Sequence, residues 1–453
     1  MKQAAQVRPG AGGTRFALYS HPPHLDPDLA PDIIEVPDRP GTIQPGPTGR
    51  RVYAIEPLGK PWSYGEASGA ELAIPPWRGP VGPRAQPNAA GHFDHLRPGD
   101  PGFACAHAFA AVRHTLACWE RFIGRDLPFH FEADLPRLEI SLYPPLNNAQ
   151  AGYGFIELGH DHDHDHQPYA LNFDVIAHET GHLIIYGLMG VPEDDVPTLY
   201  AGFHESAADL TGLMAAMFLE STIKDLLSST SGNLYRLNRL NRIAEISDTK
   251  QIRLASNRRH LREFAYGWDD EHDLSEPLTG AVFDCLVDLF HEGLVAERLI
   301  SSELENLADL AENDASLDAT LQDGFDSAYA RDPEAFAHVL AAARDRLGAL
   351  LAHAWMQLDA RAMDFADVAR AVLLSERELF GGRFVGLLRR NFALRGIGSV
   401  EVGPRMIAPS ATSHLFSART RTPRSQPVLE RPGGRAMSYA ERRRQAMRTA
   451  ARP

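Results

Sequence analysis

Cysteine is scarce in this sequence of 453 residues, and long hydrophobic runs are absent. The three cysteines, Cys105, Cys118 and Cys285, are too few and too scattered for a disulfide framework or a cysteine metal site, so we expect them to pack as small apolar groups. No apolar stretch approaches the roughly 20 residues of a membrane span, and the N-terminal segment lacks the apolar core of a signal peptide. We therefore expect a cytoplasmic protein with no membrane partner, although secretion without a leader would leave no mark in the sequence.

Positive charge is also in deficit, because the formal net charge is −14. The exception is the segment 404–453, which carries eleven arginines, no lysine and two acids. A basic tail of this kind can bind nucleic acid, but it can equally bind the acidic remainder of its own chain. A nucleic-acid partner is therefore not the favoured interpretation, and the role of the tail stays open.

Proline is unevenly distributed. Seventeen of the 33 prolines fall within residues 1–100, together with many glycines. This composition disfavours long helices and predicts an irregular region with short strands, such as 51–55, joined by extended loops. We expect this region to wrap the core, and a propeptide is the alternative. Clearer periodicity follows, predicting a helix over 103–123, strands over 138–142 and 153–158, and mostly helices after residue 220.

The most informative feature is the pattern His178-Glu179-Thr180-Gly181-His182 within an apolar stretch. Residues four apart share one face of a helix, so His178 and His182 can bind one zinc ion. Glu179 would then lie beside the metal, where it can act as general base toward a zinc-bound water. The competing interpretation is the solvated face of an ordinary surface helix. A third ligand is needed to decide between them.

Glu205 is the candidate for this third ligand. It follows His182 by 23 residues in a second stretch of helical character, after a turn-rich connection that allows the two helices to fold together. Asp209 shares its face and could accept the free N–H of a zinc-bound histidine. Asp174, one turn before His178, could act similarly or could simply favour the start of the helix through the helix dipole. Two imidazoles, a carboxylate and one open position make a catalytic zinc site.

These residues resemble the gluzincin zinc metallopeptidases, and within them the thermolysin-like branch. The resemblance is carried by 174–182, by 204–212 and by Asn147-Asn148-Ala149 upstream; it extends over roughly 100–400 but is specific only over about 145–212. It implies an α+β fold of two lobes, with an edge-strand N-terminal lobe, a mostly helical C-terminal lobe and a cleft between them. It also implies that backbone groups at Asn148 and Ala149 hold an extended peptide substrate.

Two departures from the family pattern matter. The place of the family's transition-state histidine is taken by Glu276, and the nearby His272 and Tyr266 are substitutes between which the sequence does not choose. The acidic cluster that binds structural calcium in secreted members is not evident after Glu205. The resemblance therefore implies one catalytic Zn²⁺ as cofactor and carries no expectation of calcium dependence.

Alternating histidine and aspartate fill the tract 160–166, between a predicted strand and the predicted zinc helix. Such a tract could capture a second divalent ion or feed zinc toward the site. A flexible run implies no fixed ligand geometry, so a solvated loop is the favoured interpretation.

Four segments follow from these patterns: an irregular N-terminal region over 1–100, a zinc-binding catalytic domain over 101–220, a helical C-terminal domain over 221–403 and the arginine-rich tail over 404–453. The function that they favour is a zinc-dependent peptidase acting on a peptide or protein substrate. The alternative is a catalytically quiet zinc-binding protein of the same fold that holds a partner through its tail or N-terminal region. Substrate preference, the choice between endo- and exopeptidase, and oligomeric state are left open.

Overall fold

The computed structural model describes residues 12–398, apart from short gaps, and residues 417–419. The gaps are 26–28, 65–66, 69–70, 73, 162–166, 193–196, 198, 236–237, 239–241, 248–249, 258 and 312–313. Most of the predicted histidine–aspartate tract and nearly all of the arginine-rich tail therefore lie outside the described residues. Among the residues that are described, no helix is long and apolar enough to cross a membrane.

The largest sheet has five strands in the order β13-β7-β8-β6-β3. Their bounds are β3 Val52–Ile55, β6 Leu138–Leu142, β7 Ala149–Gly152, β8 Phe155–Leu158 and β13 Ser417–Arg419. The pairs β3–β6 and β6–β8 are parallel, whereas β8–β7 and β7–β13 are antiparallel. β7, which begins at Ala149, thus has neighbours on both sides, and the second comes from the C-terminal segment.

Four antiparallel two-stranded pairs complete the β structure of the described chain. They are β1 Thr14–Leu18 with β2 Asp32–Val36, β4 Ala67–Ser68 with β5 Glu71–Leu72, β9 His160–Asp161 with β10 Gln167–Pro168, and β11 Arg242–Ser247 with β12 Lys250–Leu254. The pair β11–β12 interrupts the region after residue 220 for which the sequence predicted mostly helices.

Helices make up most of the rest. Their bounds are α1 Phe103–Ile123, α2 Phe173–Met189, α3 Tyr200–Ala216, α4 Glu220–Thr230, α5 Glu271–Ala296, α6 Ser302–Ala311, α7 Asp318–Tyr329, α8 Pro333–Trp355, α9 Phe365–Phe380 and α10 Val385–Leu394. Capping explains several of these starts: the Asp332 side chain accepts a hydrogen bond from Ala335 N, and Pro333 occupies the first turn of α8. The protein is therefore of mixed α and β structure, with small sheets and a large helical part.

The outer face of the main sheet is polar yet buried. On β6 and β8, Glu139 and Glu157 point away from the face that packs on α1, because successive strand residues alternate between faces. Lys60 forms an ion pair with Glu157, and the Tyr64 hydroxyl donates a hydrogen bond of 2.7 Å to Glu139. Gln150 Nε2 donates to Glu157 over 2.7 Å. The proline-rich region is thus fixed to the sheet by hydrogen bonds to buried carboxylates.

Helix α3 packs between α2 and α5 and sets the spacing of the site. A Cβ atom on Gly181 of α2 would lie 2.7 Å from Ala208 Cα, so the two helix backbones approach more closely there than any side chain allows. On the other side, a Cβ on Gly202 would lie 2.7 Å from Leu274 Cγ of α5. Glycine therefore brings three helices into close contact around α3.

Candidate metal centre

Helix α2 carries the first two candidate ligands. Its start is defined by Asn172, whose side chain accepts a hydrogen bond from Val175 N over 3.2 Å. The helix packs against α3, and His178, Glu179 and His182 are all buried. The sequence pattern therefore lies on a buried helix rather than on a solvated surface helix.

Glu205 of α3 meets both histidines. His178 Nε2 lies 3.3 Å from Glu205 Oε2, and His182 Nε2 lies 3.7 Å from Glu205 Oε1. Ligands of a tetrahedral zinc ion, each about 2.0–2.1 Å from the metal, are about 3.3 Å from one another. Both nitrogen–oxygen distances are close to this spacing.

The remaining nitrogen of each imidazole is held by another side chain. His178 Nδ1 lies 2.8 Å from Asp209 Oδ1, so its N–H donates to the carboxylate and Nε2 carries the lone pair. His182 Nδ1 lies 3.0 Å from Nδ1 of His204. If His182 is to present its Nε2 lone pair, its Nδ1–H donates to His204, which then carries its own proton on Nε2.

His204 is the residue that the sequence analysis missed, since it was noted only as part of the resemblance. It is buried against aromatic rings, with centroids 4.6 Å from His182, 4.5 Å from Tyr186 and 5.6 Å from Tyr200. Its position directly before Glu205 was the one available signal, although adjacent residues of a helix do not share a face.

Burial and neighbouring charge decide the protonation of these groups. Burial lowers the pKa of His182 well below its ordinary value of 6.5, and lowers the pKa of His204 to about 4. Burial alone would raise the pKa of Glu205, but His272, His182 and His178 around it hold that pKa well below its ordinary value. Burial thus favours the neutral form of His182 and of His204, and the surrounding histidines favour the ionised form of Glu205. Neutral imidazole and ionised carboxylate are the forms that bind a metal.

The donor set fits a divalent ion. Ligand atoms of His178, Glu179 and His182 lie within 4.8 Å of one another, as do those of His182, His204 and Glu205. His182 Nε2 is buried and makes no hydrogen bond within the described part of the chain. An imidazole nitrogen in this situation is stabilised by a metal, since burying a polar atom without a partner is costly. Two imidazoles and a carboxylate suit zinc.

Of the two proposed substitutes for a transition-state histidine, the structure brings only His272 to the site. His272 lies in the first turn of α5, where Asp270 caps the helix, and its Nδ1 is 2.8 Å from Asp270 Oδ1. Its Nε2 lies 3.2 Å from Glu205 Oε2. Tyr266, by contrast, is 101% exposed. Of the two candidates, His272 therefore lies beside Glu205 and Tyr266 does not.

The other predicted residues lie around this centre. Asp174 is half-buried in the first turn of α2, where the helix dipole favours a carboxylate. Ala149 begins β7, which packs against α2, and Asn148 directly precedes it. Asn148 O accepts a hydrogen bond of 3.0 Å from Gly159 N. β7 therefore passes beside the helix that carries the two histidines.

Comparison with known proteins gives a partial match. No protein-family model matches the chain, and no curated protein matches it. Twenty-five chains of solved structures do match. One of them is the precursor of protealysin, a metalloproteinase from Serratia proteamaculans, at 12% sequence identity and a TM-score of 0.48, covering 77% of this chain and 89% of that chain. A likeness of this size assigns neither a family nor an activity, so the function rests on the geometry of the site.

Proposed function

We propose that the protein is a zinc-dependent peptidase of two-lobed, thermolysin-like architecture. The observation that supports this most is the convergence of His178 Nε2 and His182 Nε2 on the Glu205 carboxylate, with Glu179 buried beside them. A closed structural zinc site has four protein ligands, whereas this arrangement provides three and leaves one position for water. The proposed ligands are therefore those of a catalytic site.

Each side chain has a proposed role. When bound, zinc supplies an activated water and polarises the carbonyl of the scissile bond. Glu179 accepts the proton of that water and delivers it to the leaving amine. His272, whose Nδ1 is hydrogen-bonded to Asp270, would in its protonated form donate a hydrogen bond from Nε2 to the developing oxyanion. Glu179 thus transfers the proton, and His272 stabilises the negative charge on the former carbonyl oxygen.

Asp209 and His204 act through the metal ligands. Asp209 orients His178, and His204 orients His182, in both cases through the Nδ1 atom. Outer partners of this kind fix the tautomer of a ligating imidazole and tighten metal binding. The backbone at Asn148 and Ala149 is the proposed holding point for an extended peptide.

Cleavage of a mixed peptide library by zinc-loaded protein, followed by mass spectrometry, tests the proposal. We expect Glu179→Gln to abolish cleavage while keeping one bound zinc, because that change removes only the base. Glu205→Ala is the matched control, since it removes a ligand and should abolish both zinc binding and cleavage. Metal content and the urea midpoint are measured for both variants.

The outcomes separate the two candidate functions. Cuts that disappear in Glu179→Gln and in the presence of a chelator establish a zinc peptidase. An unchanged rate in Glu179→Gln contradicts the assignment of the base. Intact peptides with one bound zinc in the parent chain favour the catalytically quiet zinc-binding protein.

A further inference from the structure

Strand β7 is paired on both sides. On one side it pairs with β8, and on the other with Ser417–Arg419 of the C-terminal segment. The register of this second pairing is antiparallel, with Ser417 opposite Gly152, Ala418 opposite Ala151 and Arg419 opposite Gln150. The chain's own C-terminal segment therefore lies along the strand that begins at Ala149.

The outer side of β7 can pair with one strand at a time. An extended peptide that joins a sheet uses the backbone N–H and C=O groups of the edge strand. Over residues 150–152, the backbone groups that point to this side of β7 face β13. A peptide that is held at Asn148 and Ala149 and extends along this side of β7 must therefore displace β13 from residues 150–152.

We infer that the segment containing Ser417–Arg419 competes with peptide substrate for β7 and so limits access to the candidate active site. This inference rests on the proposed peptidase function. β7 packs against α2, which carries His178 and His182, so occupation of β7 blocks the strand position beside the metal centre.

The competition is intramolecular. The concentration of β13 at β7 does not fall on dilution, whereas that of a substrate does. The ladder spans only three residue pairs, so a longer peptide can displace it. When only a fraction of molecules has β7 free, the apparent affinity for substrate is reduced by that fraction, while turnover of the bound substrate is unchanged. The expected signature is a raised KM at constant kcat.

Proline substitutions test the inference, because the strand contains its own control. In an antiparallel ladder, successive residues alternate between directing both backbone groups at one neighbour and directing them away. Ser417 and Arg419 therefore share one orientation, and Ala418 has the other. Proline lacks an N–H and breaks the ladder only where that N–H points to β7. One of two variants should therefore break the ladder and the other should serve as its control: the double variant Ser417→Pro with Arg419→Pro, or the single variant Ala418→Pro.

Two measurements are made on zinc-loaded full-length protein. Hydrogen exchange reports the protection of the amides at 150–152, and peptide cleavage reports KM and kcat. We expect one proline variant to lose protection in β7 and to show a severalfold lower KM with unchanged kcat, while the other matches the parent chain. A synthetic peptide of residues 411–424 should inhibit the ladder-breaking variant competitively, and the same peptide with the disrupting proline should not.

Other results overturn the inference. Equal behaviour of both proline variants and the parent chain, in exchange and in KM, shows that β13 does not protect β7. Equal changes in both variants show an effect unrelated to strand register. Loss of protection without a change in KM shows pairing that does not compete with substrate. If no variant cleaves any peptide, the competition fails together with the peptidase function, and the exchange data still report separately whether β13 pairs with β7.

Discussion

Replacing Gly181 by Ala inserts a methyl group into a close contact between α2 and α3. Its carbon would lie 2.7 Å from Ala208 Cα, 3.0 Å from Thr211 Cβ and 3.1 Å from Ala208 O. Carbon atoms in good contact are about 3.5–4.0 Å apart. None of the three atoms can move by a side-chain rotation, so the helices must separate locally by roughly 1 Å to regain that contact distance.

We expect this separation to affect zinc affinity more than the free energy of unfolding. Overpacking a core costs about 1–3 kcal/mol, and alanine recovers about 1 kcal/mol over glycine in a helix, so we expect the free energy of unfolding of metal-free protein to fall by at most about 2 kcal/mol. Metal–ligand distances, by contrast, tolerate about ±0.2 Å. Because His182 directly follows Gly181, its displacement from Glu205 should weaken zinc binding at least about tenfold, or about 1.4 kcal/mol.

Gly212→Ala is the matched control at the same helix interface. Its methyl carbon would lie 3.6 Å from Ala177 Cβ and 3.7 Å from His178 N, which are ordinary contacts. We expect this variant to gain up to about 1 kcal/mol from helix propensity and to bind zinc like the parent. Urea unfolding of metal-free protein and titration against a zinc chelator measure both quantities. Parent-like zinc affinity in Gly181→Ala would refute the reasoning.

Three further predictions concern other contacts. His204→Leu removes the acceptor at His182 Nδ1 and should lower zinc affinity about 10–100-fold in a chelator titration, whereas His204→Asn retains an acceptor oxygen and should lose less. Lys60→Met leaves Glu157 buried without its cation, so urea unfolding should show a loss of about 3 kcal/mol, and adding Glu157→Gln should recover part of it. Burial lowers the pKa of His107 from 6.5 to about 4, so its stabilising contribution is present above pH 6.5 and is lost as the pH falls toward 4. Unfolding measured at both pH values should show a smaller acid loss for His107→Gln, by up to about 3 kcal/mol.

Elements with strong local patterns could be predicted from the sequence. Helix α1 and strand β6 begin and end at the predicted residues, 103–123 and 138–142. Gly102 and Gly124 flank α1 in the left-handed conformation, with φ values of 78° and 80°, which L-residues adopt only at a cost. Here periodicity and terminal residues agree, so the local sequence determines the helix.

Long-range pairing could not be predicted in the same way. β13 lies in a segment whose composition suggested a basic tail, and its partner β7 precedes it by more than 260 residues. Strand pairing depends on backbone groups, which every residue except proline offers, so the sequence carries little record of the partner. The residue pattern around Asn148 and Ala149 therefore does not reveal that β7 pairs with a second strand.

The start of α5 determines which of His272 and Tyr266 lies beside Glu205. Both precede the place where the family pattern has a histidine, and spacing alone does not separate them. Asp270 caps α5 and accepts hydrogen bonds from both the backbone N and the Nδ1 of His272, which turns the imidazole inward. Tyr266 lies before this cap and points to solvent. A capping residue thus fixes the side chain that faces Glu205.

Glycine has a comparable role at the centre of the site. Gly181 lies between the two histidines, at a point where α2 and α3 approach too closely for a side chain. Gly202 serves α5 in the same way, since a side chain there would meet Leu274. Because α3 carries Glu205, these two contacts set its distance from the histidines of α2 and from the first turn of α5. The geometry that could hold a metal therefore depends on two residues that contribute no ligand atom.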